Sequence, residues 1–190
     1  MGGEKHTSLS ANLPPDYQSC VEVKNTMGTK GVFVVVLAED NRKVLLHRRE
    51  DFRIWALPGG RVENDESWKE AGVREVFEET GYQIEIERLV GEYSRPQMPG
   101  GGDISHVCVG RVIGGAPIQS GPETLEVKWF PLDALPPSLH RFMDDEYIQD
   151  ALTDTSIPFK KTQHMPILLV FLIHILLGLR SLRNRLIGRS

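Results

Sequence analysis

Three glutamates, Glu75, Glu78 and Glu79, are crowded into one short stretch of the chain. On a helix turning about 100° per residue they share one arc, and Val73, Val76 and Phe77 fall on the other side. An apolar face of that kind can pack on a sheet while three carboxylates point together into a cleft. The arrangement is costly. Like charges at three- and four-residue spacing each destabilise a helix by roughly 0.2–0.5 kcal/mol. The helix dipole also disfavours anions near a C-terminal end. A bound cation would compensate. Carboxylates with no His or Cys beside them suit Mg2+ or Mn2+, which prefer oxygen donors, and argue against zinc. Charged runs are more often solvated helix faces than metal sites, so the three residues alone leave both readings open.

The elements that must position them can be read around this run. Gly31–Ala38 is a β-branched stretch bounded by Glu39-Asp40-Asn41, which predicts a buried strand and a turn. Lys43–His47 predicts the returning strand of a hairpin. Leu57-Pro58-Gly59-Gly60 reads as a loop, and a helix follows over Glu66–Thr80. Asn64, Asp65 and Ser67 compete as its N-cap, Ser67 having capping-box spacing to Glu70. Gly81 closes the helix as a C′ glycine. Strands are predicted at Gln83–Ser94, His106–Val112 and Glu126–Phe130, with a Gly-rich loop at Met98–Asp103 and a second helix at Leu139–Leu152. The order predicts a mixed α/β domain.

The spacing is specific. Gly60, five residues, Glu66, seven residues and then Arg74-Glu75-Val76-Phe77-Glu78-Glu79-Thr80-Gly81-Tyr82 fill every fixed position of the Nudix box, Tyr82 being the loosest fit. Trp55-Ala56-Leu57-Pro58-Gly59-Gly60 resembles the approach to that box. Val127-Lys128-Trp129-Phe130-Pro131-Leu132, followed by Leu135-Pro136, resembles the family's last strand and exit turn. The resemblance covers roughly Lys30 to Leu152. It implies an α/β/α sandwich around a mixed sheet and hydrolysis of a nucleoside diphosphate linked to another moiety.

Carried over by position, the resemblance makes Glu78 and Glu79 metal ligands. Glu75 becomes a ligand or the group that positions the attacking water, and the Gly59 carbonyl completes the shell. Gly60, Glu66, Arg74 and Gly81 take structural roles, with Arg74 set to the side of the carboxylate arc. A further carboxylate from the loop before the last strand falls on Glu123, with Glu126 as runner-up. Arg48 and Arg49, at the end of the second strand, are candidates to hold a substrate phosphate. The implied cofactor is Mg2+ or Mn2+, and the implied partner is a nucleoside diphosphate-linked small molecule, not a nucleic acid duplex. Metal-activated water needs no covalent nucleophile, and no Ser/His/Asp or Cys/His arrangement stands out. The loop Ser94–Gly102, with Pro96 and Pro99, slightly favours nucleotide sugars and ADP-ribose over nucleoside triphosphates.

The 190 residues suit one domain plus appendages. The expected division is an arm over 1–27, the hydrolase domain over 28–155 and an apolar then basic C-terminal helix over 156–190, outside the core. Net charge is −4, but six basic residues and no acidic one follow Asp154, which leaves −10 on the rest. Pro166–Leu179 is almost wholly apolar, and Arg180, Arg183, Arg185 and Arg189 follow it. At about 1.5 Å per residue this stretch falls short of a hydrocarbon core of about 30 Å. It suits an anionic membrane surface, self-association such as a homodimer, or packing on the domain. The polar N-terminus carries no secretory signal, and Cys20 and Cys108 fit no metal or redox spacing, so a cytoplasmic protein with reduced thiols is expected. Two other functions stand beside the hydrolase: a silent nucleotide sensor of the same fold, and an interaction protein dominated by its tail. Intact box glutamates disfavour the sensor.

Overall fold

The computed structural model describes residues 29–63, 65–96, 104–139, 144–153 and 157–164, together with Phe171 and Ile175. The central strand β1 (Thr29–Leu37) is apolar on both faces, and strand alternation explains why. Val32, Val34 and Val36 enter one core with Leu45, Ala71, Val76 and Ile84. Val35 and Leu37 enter a second with Leu46, Tyr93, Tyr147 and Ile148. Helix α1 (Trp68–Thr80) covers the first core and α2 (Asp144–Leu152) the second. The sheet between them is completed by β2 (Lys43–Arg49), β3 (Trp55–Ala56), β4 (Gly59–Arg61), β5 (Tyr82–Ser94), β6 (Ile104–Gly115), β7 (Thr124–Pro131) and β8 (Phe159–Thr162). Its main path is β3-β2-β1-β6-β5-β8, with β4 on β1 and β7 on β2. The β1–β6 and β5–β8 pairs are parallel and the others antiparallel, so the sheet is mixed within an α/β/α sandwich.

Several sequence expectations change in detail. The expected hairpin survives only at its tip, where Leu37 pairs with Val44. Lower down, β4 takes that edge of β1 at Gly31–Phe33, so β2 runs with β7 instead. Gly59 and Gly60 therefore belong to a strand and not to a loop. The first helix starts at Trp68, because Ser67 wins the N-cap: it accepts from the Glu70 amide, and the Glu70 carboxylate accepts from the Ser67 amide. Gly81 ends it at φ 79°, the left-handed conformation expected of a C′ residue, and an added Cβ there would lie 2.4 Å from the Ala116 carbonyl.

The apolar side of α1 is also different. Val76 is buried, but Val73 and Phe77 are exposed, and the buried arc consists of Trp68, Ala71, Gly72, Val76, Glu79 and Thr80. Small residues bring the helix close to the sheet, and this rotation carries Glu79 inward. The described part of the second helix is Asp144–Leu152. Beyond the expected domain boundary at 155, β8 adds a parallel edge strand to β5. Met98–Gly102 and Asp103 lie outside the described residues. So do the arm at 1–27 and the tail at 165–190, apart from Phe171 and Ile175, which are helical and exposed. Among the described residues no helix is long and apolar enough to cross a membrane.

Candidate active site

Helix α1 places its three carboxylates at three depths. Glu79 is 5% exposed, Glu75 is 14% exposed and Glu78 is 57% exposed. The single arc read from the sequence is thus a graded wall running from the core to solvent. Glu79 Oε2 accepts a hydrogen bond of 2.9 Å from the Gly59 amide, which ties the helix to β4. Glu75 lies over Gly60, where an added Cβ would meet its Oε1 at 2.2 Å. A larger residue there would displace the carboxylate, which occupies the space of a side chain.

Arg74 stands beside the arc, and its side chain reaches into it. Its guanidinium grips Glu66 through two bonds of 2.6 and 3.1 Å, and reaches Glu75 at 3.0 Å, Glu78 at 3.1 Å and the Arg61 carbonyl at 3.0 Å. Glu66 also accepts from the Glu63 amide. These bonds tie the β4–α1 connection to the helix and hold two of the three carboxylates. The Arg74 guanidinium is held charged, chiefly by Glu66, while the Glu66 carboxyl is held below the usual range, chiefly by Arg74.

The inner carboxylates are electrostatically stressed. Burial pushes Glu79 up to about 8, with Glu75 and Glu123 adding repulsion and the Gly59 N–H and Arg49 opposing it. Burial also raises Glu75, and the Arg74 charge only partly offsets this. Glu123 precedes β7 and adds repulsion to both Glu75 and Glu79, which puts it on their side of the site. Its carbonyl accepts from the Glu50 amide and fixes the end of β2 to that loop.

The two arginines separate. Alternation along β2 puts Arg49 on the face of Leu45 and His47, towards α1, and Arg48 on the opposite face. Arg49 makes two bonds of 2.9 and 3.0 Å to Asp51, and it interacts with Glu79 and Glu123. Arg48 donates to the Arg53 carbonyl and pairs across the ladder with Glu126. Glu126 is therefore turned away from the carboxylates with which Glu123 interacts.

Two polar residues given no role from the sequence lie underneath. His47 and Thr124 are 1% exposed, and His47 Nδ1 stands 3.0 Å from Thr124 Oγ1. His47 Nε2 stands 3.5 Å from Glu79 Oε2. The signal that could have found His47 is its period-two relation to Leu45, which places an imidazole on a core-facing side.

Among the described residues no three carboxylate, imidazole or thiol groups stand close enough to form a closed cation cage. The donor set nevertheless fits a hard ion, which takes oxygen donors and completes its shell with waters. Its oxygens converge on a strand backbone, and the buried Glu79 carboxylate gains from a positive charge.

A NUDIX domain model matches residues 27–151, and the chain belongs to the Nudix family of hydrolases. A Bacillus subtilis protein whose name assigns it to the 8-oxo-dGTP diphosphatases is 43% identical over 110 residues, 58% of this chain and 71% of its own length. An ADP-ribose pyrophosphatase of Methanocaldococcus jannaschii is 40% identical over 104 residues, covering 53% of this chain and 61% of that one. The crystal structure of an ADP-ribose pyrophosphatase from Streptococcus suis superposes with a TM-score of 0.55 at 27% identity, covering 68% of this chain and 96% of that one.

Proposed function

We propose that the chain hydrolyses a phosphoanhydride bond in a nucleoside diphosphate derivative with Mg2+ or Mn2+ as cofactor. One observation carries the reading: Glu75 and Glu79 converge on the Gly59-Gly60 strand with burial raising both, so a cation relieves the site. Glu79, Glu78, Glu75 and the Gly59 carbonyl would hold the ion, with Glu123 contributing from the β7 side. When bound, the ion neutralises phosphate oxygens and lowers the pKa of a coordinated water. Arg74 holds Glu75 in place, and Glu75 serves as ligand or as acceptor of the water's proton. Arg49, already turned towards Glu79, is better placed than Arg48 to meet a substrate phosphate. Nucleotide sugars, ADP-ribose and oxidised nucleoside triphosphates are the substrates to try, since names of relatives point to the last two.

The test is a chromatographic screen over those compounds, dinucleotides and NADH, with and without Mg2+, that looks for the nucleoside monophosphate together with the phosphorylated moiety or pyrophosphate left by anhydride cleavage. Mg2+-dependent turnover of at least one compound is expected, together with its loss in Glu78→Gln and Glu79→Gln variants that remain folded. Wild-type turnover in both variants would sink the metal-site assignment. Silence on every compound would favour a nucleotide sensor.

A further inference from the structure

The buried imidazole beneath Glu79 is not used by the reading above. His47 and Thr124 sit on neighbouring strands β2 and β7, and both are almost wholly inaccessible. The ladder is irregular beside them, where Arg49 pairs with Thr124 one step out of register. That irregularity sets the Thr124 hydroxyl against His47 Nδ1 at 3.0 Å. On the other side of the ring, Nε2 has no hydrogen-bond partner among the described residues, and Glu79 Oε2 stands 3.5 Å away. A buried ring nitrogen left without a partner carries an uncompensated desolvation cost, so the site gains from closing this gap.

We propose that His47, held by Thr124, is a positioning residue that donates from Nε2–H to Glu79 and fixes its carboxylate for the cation. This rests on the metal reading of Glu79 given above. The chemistry then determines each group's role. An ionised carboxylate can only accept, so the ring must present Nε2–H. A neutral ring protonated at Nε2 is bare at Nδ1, and Thr124 can donate there. The Gly59 amide already holds Glu79 Oε2 from β4. The imidazole would add a second restraint from β2 and link helix α1 to the start of β7, next to Glu123. Partners of this kind, one step behind a ligand, commonly carry 10–100-fold of metal affinity.

The experiment measures Mn2+ alone binding to the full chain by loss of free-ion EPR signal, in wild type, His47→Leu, His47→Gln, Thr124→Val and Glu79→Gln. The expected result is an affinity loss of about 10–100-fold in His47→Leu, substantial recovery in His47→Gln through its amide N–H, and a smaller loss in Thr124→Val. With Mg2+ bound, the 15N signals of His47 in the wild type should show the Nε2–H tautomer, with Nε2 shifted from its Mg2+-free position. If His47→Leu binds Mn2+ as wild type does while Glu79→Gln does not, the positioning role is overturned and the metal site stands. If Glu79→Gln binds normally, the metal reading fails, and this inference with it. A His47→Gln variant as weak as His47→Leu would also overturn it, reducing His47 to a space filler. Should His47→Leu not fold, Thr124→Val and the tautomer decide, and an Nδ1–H ring insensitive to Mg2+ overturns the proposal.

Discussion

At the scale of single residues, the site is organised by contacts between side chains and backbone. Gly60 shows this most sharply, because the Glu75 carboxylate lies where its Cβ would be. We predict that Gly60→Ala lowers kcat/KM by about 100-fold, the loss that a displacement of about 1 Å can produce. Far-ultraviolet circular dichroism should remain that of the wild type; an active Gly60→Ala variant would show that Glu75 is not needed in this position. The box spacing made Glu75, Glu78 and Glu79 legible before any coordinates. The depth of each was not legible, because helical phase gives a direction while burial depends on how closely Ala71 and Gly72 let the helix approach the sheet. The central place of Arg74 was also hidden, since a long guanidinium reaches groups that its Cα direction does not indicate. The contact between His47 and Thr124 spans 77 residues of sequence, and no local pattern announces it.

At the scale of elements, the caps and strand pairings decide where the helix can sit. Ser67 satisfies one amide of the first turn of α1 and receives Glu70 in return. Ser67→Ala should cost about 1 kcal/mol and lower Tm by about 2–4 °C, as read by calorimetry. The cap was readable from Ser67 and Glu70, whereas the pairing of β4 with β1 was not, because a Pro-Gly-Gly run is the ordinary signature of a turn. The start of α1 is also tied to the sheet by Trp68, which stacks on His106 of β6 with centroids 5.1 Å apart and rings 1° from parallel. Burial lowers the His106 pKa below its ordinary 6.5, outweighing the attraction of Glu92, while Lys160 adds to the lowering. The unfolded chain therefore takes up a proton below pH 6.5 that the folded chain resists. This contribution to stability is complete above 6.5 and is lost as pH falls towards the folded pKa. His106→Phe should flatten the dependence of urea midpoint on pH in that acidic window. An unchanged slope would mean that His106 titrates as it does in the unfolded chain.

At the scale of the whole molecule, the sheet extends past the expected end of the domain. The start of the segment expected to form the C-terminal helix, 156–190, instead supplies the outermost strand, β8, on β5, because its side chains dock on Tyr93 and α2. Its sequence, Phe-Lys-Lys-Thr, is short and half charged, so alternation gives little signal. What secures it is tertiary. Phe159 packs edge-on against Tyr93 at 5.7 Å, Lys161 bridges Glu146 at 2.5 Å and Asp150 at 3.0 Å, and Tyr147 donates to Gln163. The Tyr93 hydroxyl donates to the same Asp150 carboxylate, so strand and helix α2 share one anchor. A chain ending at His164 keeps all of these contacts, whereas one ending at Ile157 loses them and leaves an edge of β5 unpaired. Half-buried Phe159 and the lost strand pairing together are worth about 2 kcal/mol, so the shorter chain should melt about 4–8 °C below the longer one. Both should retain metal-dependent turnover at low temperature, since every candidate ligand lies upstream of Phe159. Equal melting temperatures would show that β8 does not contribute to the fold, and loss of turnover only in the chain ending at Ile157 would show that the β5–β8 edge supports the site.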